Sequence, residues 1–274
     1  MTLPLRNAKL RTAQGTFAWR EVGSGSTVLF LHGSWQDSSQ WIPLMQQLGQ
    51  QFHCIAPDLL GFGESSRLEK GAYSIDGEVS ALAEYLAAIR VQPQILVAES
   101  LGAWVAVRYS LQHPDTIQGL VLMAPEGLSA PTLDQRWRGL RWLASPWALR
   151  FWGLRLVTPL VKLLGGDRWL HQVWQKRQQL RGYRAASRLL FQRRKAVLRS
   201  EWLNAALPHL KTPVLLLHPE QATQHTQLAN SLFYDLAPQA QLMPIPGDES
   251  TAWAHAIREV QAFAKTGTIN AILP

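Results

Sequence analysis

The pentapeptide Ala98-Glu99-Ser100-Leu101-Gly102 lies between a short apolar run ending at Ala98 and a stretch rich in small residues, Gly102, Ala103 and Ala106. The run predicts a strand over residues 95–98 and the stretch a helix over 101–112, so Ser100 is expected on a sharp turn with a strained backbone. Small residues two positions before and two after such a serine are required because strand and helix nearly touch there. Ala98 takes the first of these positions in place of glycine, a tolerable change. The flanking strand and helix give the pattern a weight that an isolated Ser-x-Gly lacks.

Outward from this turn, strands and helices alternate. Residues 27–31 form an unbroken β-prone run, as expected of a strand buried on both faces of a parallel sheet. Short strands around a turn at Gly15 precede it; a helix over 39–50 and a strand over 53–56 follow. Apolar residues at helical spacing predict a helix over 76–89, with Asp76 as its cap. Further strands are expected at 117–123, 214–217 and 241–245, and further helices near 226–236 and 253–263. Alternation of this kind predicts an α/β fold with a mostly parallel sheet and right-handed crossovers.

Composition narrows the function classes. Hydrophobic residues make up 47% of the 274 positions and charged residues 17%, which excludes a disordered polymer, a collagen and a coiled coil. Cys54 is the single cysteine, so an internal disulfide and a multi-thiolate metal centre are excluded and a reducing, cytoplasmic setting is expected. Residues 1–11 hold no secretory-type apolar stretch, and no window is apolar enough to cross a bilayer. No motif points to a metal, nucleotide or other cofactor.

Charge is unevenly placed. Between Thr132 and Trp202 stand sixteen of the 27 basic residues and three of the 19 acids, while the rest of the chain is net negative. Seven of the twelve tryptophans fall in the same stretch. Basic residues alternate with large apolar ones around Trp137, Trp142 and Trp152, as in amphipathic helices that lie in a bilayer interface. Arg177, Arg181, Arg184 and Arg188 recur every three or four residues and share a helix face, which could meet phosphates or the acidic edge of a partner protein. The alternative is a cap whose tryptophans pack on the body while its arginines are merely solvated. No recognised nucleic-acid-binding motif accompanies the charge, which argues against that partner.

Two further motifs carry a resemblance. His32-Gly33-Ser34-Trp35 follows the third expected strand, and Asp58-Leu59-Leu60-Gly61-Phe62-Gly63-Glu64-Ser65 follows the fourth. With the turn at Ser100, their order and spacing resemble the α/β-hydrolase superfamily, in particular its cap-bearing esterase-like branch. That resemblance implies an eight-stranded-type, mostly parallel sheet flanked by helices, with a helical cap inserted after the sixth strand. The core would comprise residues 1–127 and 206–274 and the cap 128–205. It implies Ser100 as nucleophile and the backbone N–H groups of Leu101 and Ser34 as oxyanion donors. Such donors are worth roughly 3–4 kcal/mol each because they are aimed at charge that develops only in the transition state. The His-Gly and Asp58 motifs can also be turn chemistry that shapes the scaffold, above all at Asp58, Gly61 and Gly63.

The pattern breaks at the supporting residues. Past the strand at 214–217 the chain reads His218-Pro219-Glu220-Gln221-Ala222, with the expected aspartate position at Gln221 or Ala222. Past the last strand it reads Pro246-Gly247-Asp248-Glu249-Ser250, with serine where the family's histidine belongs. A serine hydroxyl is a poor nucleophile unless a base takes its proton, and the acid fixes that base's tautomer. Substitutes are Glu126 as a relocated acid, or else a loop carboxylate paired with a cap arginine, and His255 as a relocated base, or else an ordinary helix-face histidine. His218 and His225 read as surface or strand-end residues; Asp248 or Glu249 could act as an unusual base only if burial raised its pKa.

Two functions are therefore expected to compete. One is a weakly active or inactive pseudo-hydrolase that binds a lipophilic ligand or a membrane-associated partner, with Trp35, Trp137, Trp142 and Trp152 as ligand or cap contacts. The other is a serine esterase of a lipophilic ester using Ser100, His255 and Glu126. A peripheral position at the cytoplasmic face of an anionic membrane is expected of the basic cap.

Overall fold

A computed structural model describes residues 3–68, 73–144 and 167–266. Eight strands form one sheet: β1 (Arg6–Arg11), β2 (Thr16–Val22), β3 (Thr27–Leu31), β4 (His53–Pro57), β5 (Ile95–Glu99), β6 (Gly119–Met123), β7 (Val214–Pro219) and β8 (Ala240–Ile245). Their order is β1-β2-β4-β3-β5-β6-β7-β8. β1 and β2 pair antiparallel, β2 meets β4 antiparallel, and all pairings from β4 to β8 are parallel. The expected α/β sheet is present, with its antiparallel part confined to the N-terminal edge.

The central strands read as continuous apolar runs because both faces are covered. Leu29, Leu31, Leu96 and Ala98 join one buried cluster with α2 (Ile75–Ala88) and α3 (Leu101–Gln112). Their alternating neighbours Val28, Phe30, Ile95 and Val97 join a second cluster on the other face, with α1 (Ile42–Leu48). Cys54 is buried in that second layer, where desolvation pushes its thiol up to about 12. It is a packing residue.

Between β6 and β7 run α4 (Pro131–Ala144), α5 (Asp167–Gly182), α6 (Arg184–Phe191) and α7 (Lys195–Ser200), in the place expected for the helical insertion. The apolar side of α6, including Ala185, Ala186, Leu189 and Leu190, is buried against the first cluster. After β7 come α8 (Gln224–Leu236), α9 (Ala252–His255) and α10 (Ile257–Thr266).

Two expectations need correction. The cap of α2 is Ser74, whose hydroxyl accepts the Gly77 N–H at 2.9 Å; Asp76 lies inside the first turn and binds the Arg108 guanidinium instead. Serine and aspartate cap equally well, so spacing alone does not choose between them. The single last helix expected over 253–263 is two helices divided at Ala256, and His255 ends the first of them. No described helix is long and apolar enough to cross a membrane.

Candidate functional site

Ser100 sits between β5 and α3 at φ +53°, ψ −114°. A non-glycine residue held there stores about 1–3 kcal/mol, which surrounding structure must offset. Its N–H donates to the Met123 carbonyl at 3.1 Å, and its carbonyl accepts the N–H groups of Trp104 and Glu126. A Cβ at Gly102 would lie 2.3 Å from the Leu31 carbonyl oxygen, so the close approach of helix and strand excludes any side chain there. Ala98 is fully buried and pairs with Leu31 and Leu122, which leaves its methyl group accommodated.

The His32-Gly33-Ser34 loop brings a second hydroxyl to this turn. Ser34 is buried, and its Oγ lies 3.3 Å from Ser100 Oγ. Ser34 Oγ also donates to Glu126 Oε2 at 2.8 Å. A hydroxyl carries one proton, so with that proton directed at Glu126, Ser34 can only accept from Ser100. The result is a directed chain, Ser100 to Ser34 to Glu126. Leu101 opens α3, and its N–H is among those without an intrahelical acceptor. Ser100, Ser34, Leu101 and Glu126 are thus brought together, and the Glu126 carboxylate reaches the site through Ser34.

His255 is placed differently. It is exposed at the end of α9, and among the described residues no hydrogen bond joins an imidazole to Ser100. His255 ends a short helix separate from α10, and its ring Cδ2 would lie 3.7 Å from a Cβ at Gly247. Ser250 and Thr251, at and beside the family's histidine position, donate side-chain and backbone hydrogen bonds to Asp248 Oδ1. The Ser250 and Thr251 hydroxyls hold the Asp248 carboxyl below its usual range. Burial works against ionisation of Glu249, but the Thr223 N–H at 2.9 Å and further hydrogen bonds outweigh it and lower that carboxyl too. Neither has the raised pKa that an unusual base would need.

The remaining polar candidates make structural contacts. His218 is the last residue but one of β7, and the Asn230 amide meets its Nδ1 at 3.2 Å. Glu220 is exposed and meets the end of β8 only through its backbone. His32 is buried, with Nε2 accepting the Leu59 N–H at 3.0 Å and Nδ1 facing the Gly33 carbonyl at 2.9 Å. Burial lowers its pKa and both nitrogens are engaged, so the ring is a neutral strut. Asp58 accepts the N–H groups of Ser38 and Glu64, and a Cβ at Gly63 would lie 2.1 Å from its Oδ2. The Asp58 motif is therefore turn chemistry. Trp35 is half-buried and stacks on Phe191 of α6 with ring centroids 6.2 Å apart. The side chains of Trp137 and Trp142, and all of Trp152, lie outside the described residues.

Sequence reading missed Glu99. Its part-buried carboxyl accepts two hydrogen bonds at Oε2, from Gln40 Nε2 at 2.9 Å and Trp253 Nε1 at 2.8 Å. Gln40 Oε1 in turn accepts the Gly33 N–H at 3.0 Å. Burial raises the Glu99 pKa, and the charges of Glu249 and Glu126 push the same way. Glu99 thus ties the Gly33 loop, the strand before Ser100 and the short helix α9 together. An acid beside the nucleophile position was the one available signal. Among the described residues no group of three His, Cys, Asp or Glu side chains could hold a metal ion.

Residues 28–264 match the profile of the Alpha/beta hydrolase family. A pimeloyl-[acyl-carrier protein] methyl ester esterase of Pseudoalteromonas atlantica is 35% identical over 149 residues, 54% of this chain and 54% of its own length. A 2-hydroxymuconate semialdehyde hydrolase of a Pseudomonas species is 33% identical over 123 residues, 43% of this chain and 44% of its own. The match thus spans about half the length of these curated relatives. Among solved structures, a thermophilic esterase of Thermogutta terrifontis superposes with a TM-score of 0.71 at 18% identity, over 96% of this chain and 99% of that one.

Proposed function

The chain belongs to the alpha/beta hydrolase family, and on that premise we propose that its Ser100 site binds a lipophilic, carbonyl-bearing ligand with little or no hydrolytic turnover. The observation that carries this is the partner of Ser100 Oγ: the hydroxyl of Ser34 at 3.3 Å. A hydroxyl cannot take up the proton that must leave Ser100 during attack. Removing the base from a serine hydrolase costs on the order of 10⁶ in turnover, while binding and oxyanion donors retain about 10³–10⁴ over water. The apolar wall of Trp35 and Phe191 beside the Ser34 loop suits a lipophilic ligand, and such a ligand would be concentrated at a membrane surface, where we place the protein.

The test is covalent labelling with a fluorophosphonate, with Ser100→Ala as control, alongside hydrolysis of p-nitrophenyl esters of increasing chain length. Slow labelling, ester turnover near the residual level, and saturable binding of the long-chain esters are expected. Turnover typical of a serine esterase that collapses in His255→Ala would overturn the proposal.

A second possibility is favoured by one specific observation, the 2.8 Å bond from Ser34 to Glu126. Glu126 would accept the Ser100 proton through Ser34 and support slow esterase activity. Loss of that slow activity in Glu126→Gln, with an equal slowing of Ser100 labelling and an unchanged melting temperature, would favour it.

A further inference from the structure

The arginines of α5 and α6 gather along one groove, Arg177 buried, Arg188 half-buried, and Arg181 and Arg184 exposed at its mouth. Arg177, Arg181, Arg184 and Arg188 line a single cavity of about 730 Å³, with Trp174 and Gln192 at its wall. Arg177 is largely buried, with Nη1 donating to the Leu143 carbonyl at 2.7 Å. Arg188 lies over the Tyr73 ring, its guanidinium carbon 5.3 Å from the centroid. Both are thus held in place by contacts within the fold. Arg181, Arg184 and Arg188 form no ion pair with an acid among the described residues.

Like charges gathered around one space repel unless something neutralises them. Burial and the charge of Arg181 both lower the Arg177 pKa. Planar guanidiniums converging on one space match the oxygens of phosphate in paired hydrogen bonds. The volume lies within the range of small-molecule sites, about 300–1,000 Å³.

We propose that this cavity is a binding site for a clustered phosphate group, held by Arg177, Arg181, Arg184 and Arg188 and distinct from the Ser100 site. The same chemistry occurs on a soluble polyphosphate and on a phospholipid headgroup. It does not depend on whether Ser100 turns over a substrate, and its test reads binding alone.

The experiment uses the full chain, inorganic pyrophosphate followed by calorimetry, and flotation with phosphatidylcholine vesicles with and without phosphatidylglycerol. Two double variants remove equal charge: Arg181→Gln with Arg184→Gln at the cavity, and Arg168→Gln with Arg194→Gln on exposed parts of the insertion that do not line it. Pyrophosphate affinity is expected to fall on the order of tenfold in the cavity variant and less than about twofold in the control, in line with the loss of charge-assisted hydrogen bonds. Flotation that needs phosphatidylglycerol, is lost in the cavity variant and is competed by pyrophosphate identifies the source as a lipid headgroup. Pyrophosphate binding without flotation identifies a soluble phosphate. Equal losses in both variants for whichever probe binds, or no binding of either probe, would overturn the proposal.

Discussion

Ser34 and Ser100 come from loops 66 residues apart, yet their Oγ atoms lie 3.3 Å from each other. Ser34 spends its proton on Glu126, so the Ser100 proton is aimed at Ser34 and a lone pair of Ser100 is left to face a ligand. The next basic atom along this chain is a carboxylate one residue removed.

Ser34→Ala and Glu126→Gln therefore act on the same chain. Any residual ester turnover should fall by about tenfold or more in each, at the low end of what general-base assistance contributes. The double variant should be no worse than the single ones. His255→Ala should change turnover by less than about twofold in steady-state assays. A large loss in His255→Ala alone would mean that the imidazole reaches Ser100 in solution.

The strained turn gives a stability prediction of opposite sign to a functional one. Ser100→Gly relieves the cost of φ +53° and should stabilise by about 1 kcal/mol, a rise of roughly 2–4 °C in melting temperature. Ser100→Ala keeps the strain and should melt with the parent. Gly102→Ala forces a methyl group against the Leu31 carbonyl and should cost about 1–3 kcal/mol or more.

Glu78 supplies a pH dependence. Its carboxyl is buried, accepts the Leu60 N–H at 3.1 Å, and burial pushes its pKa up to about 8 from the ordinary 4.5. The folded chain thus keeps a proton that the unfolded chain releases. That contribution to stability is whole below pH 4.5 and is lost as pH rises towards about 8, with a slope of at most ~1.4 kcal/mol per pH unit. Glu78→Gln retains an oxygen for Leu60 and should flatten this part of the urea-midpoint profile. An unchanged profile would show that Glu78 is ionised in the fold.

Glu99 should tolerate loss of its charge but not of its hydrogen bonds. Glu99→Gln keeps an acceptor for Gln40 and Trp253, and its cost should stay below about 1 kcal/mol. Glu99→Ala leaves two donors unsatisfied and should cost roughly 2 kcal/mol or more. Its raised pKa means that rising pH places a new negative charge beside Ser100. Binding of a ligand that develops negative charge at Ser100 should weaken with pH in the parent and not in Glu99→Gln.

Much of this was legible in the sequence because it depends on near neighbours. The unbroken run from Thr27 to Leu31 implies a strand covered on both faces, and Ser100 with Gly102 implies a turn at which helix touches strand. The cap of α2 was not legible, because Ser74 and Asp76 offer the same chemistry two positions apart. Nor was the Glu99 cluster. Its partners Gln40 and Trp253 stand 59 and 154 residues away, and no periodicity joins residues whose proximity is set only by the packing of the whole sheet. Glu126 sits 92 residues from Ser34 for the same reason.

Helix α6 carries Arg184 at one end and Phe191, stacked on Trp35, at the other, with Arg188 in the last turn. Seven residues of helix rise about 10 Å, too short a rod to bend appreciably. Drawing its cationic end inward would tilt the phenyl ring against the indole, and with it the loop that presents Ser34. Occupancy of either end should then be felt at the other with equal and reciprocal strength.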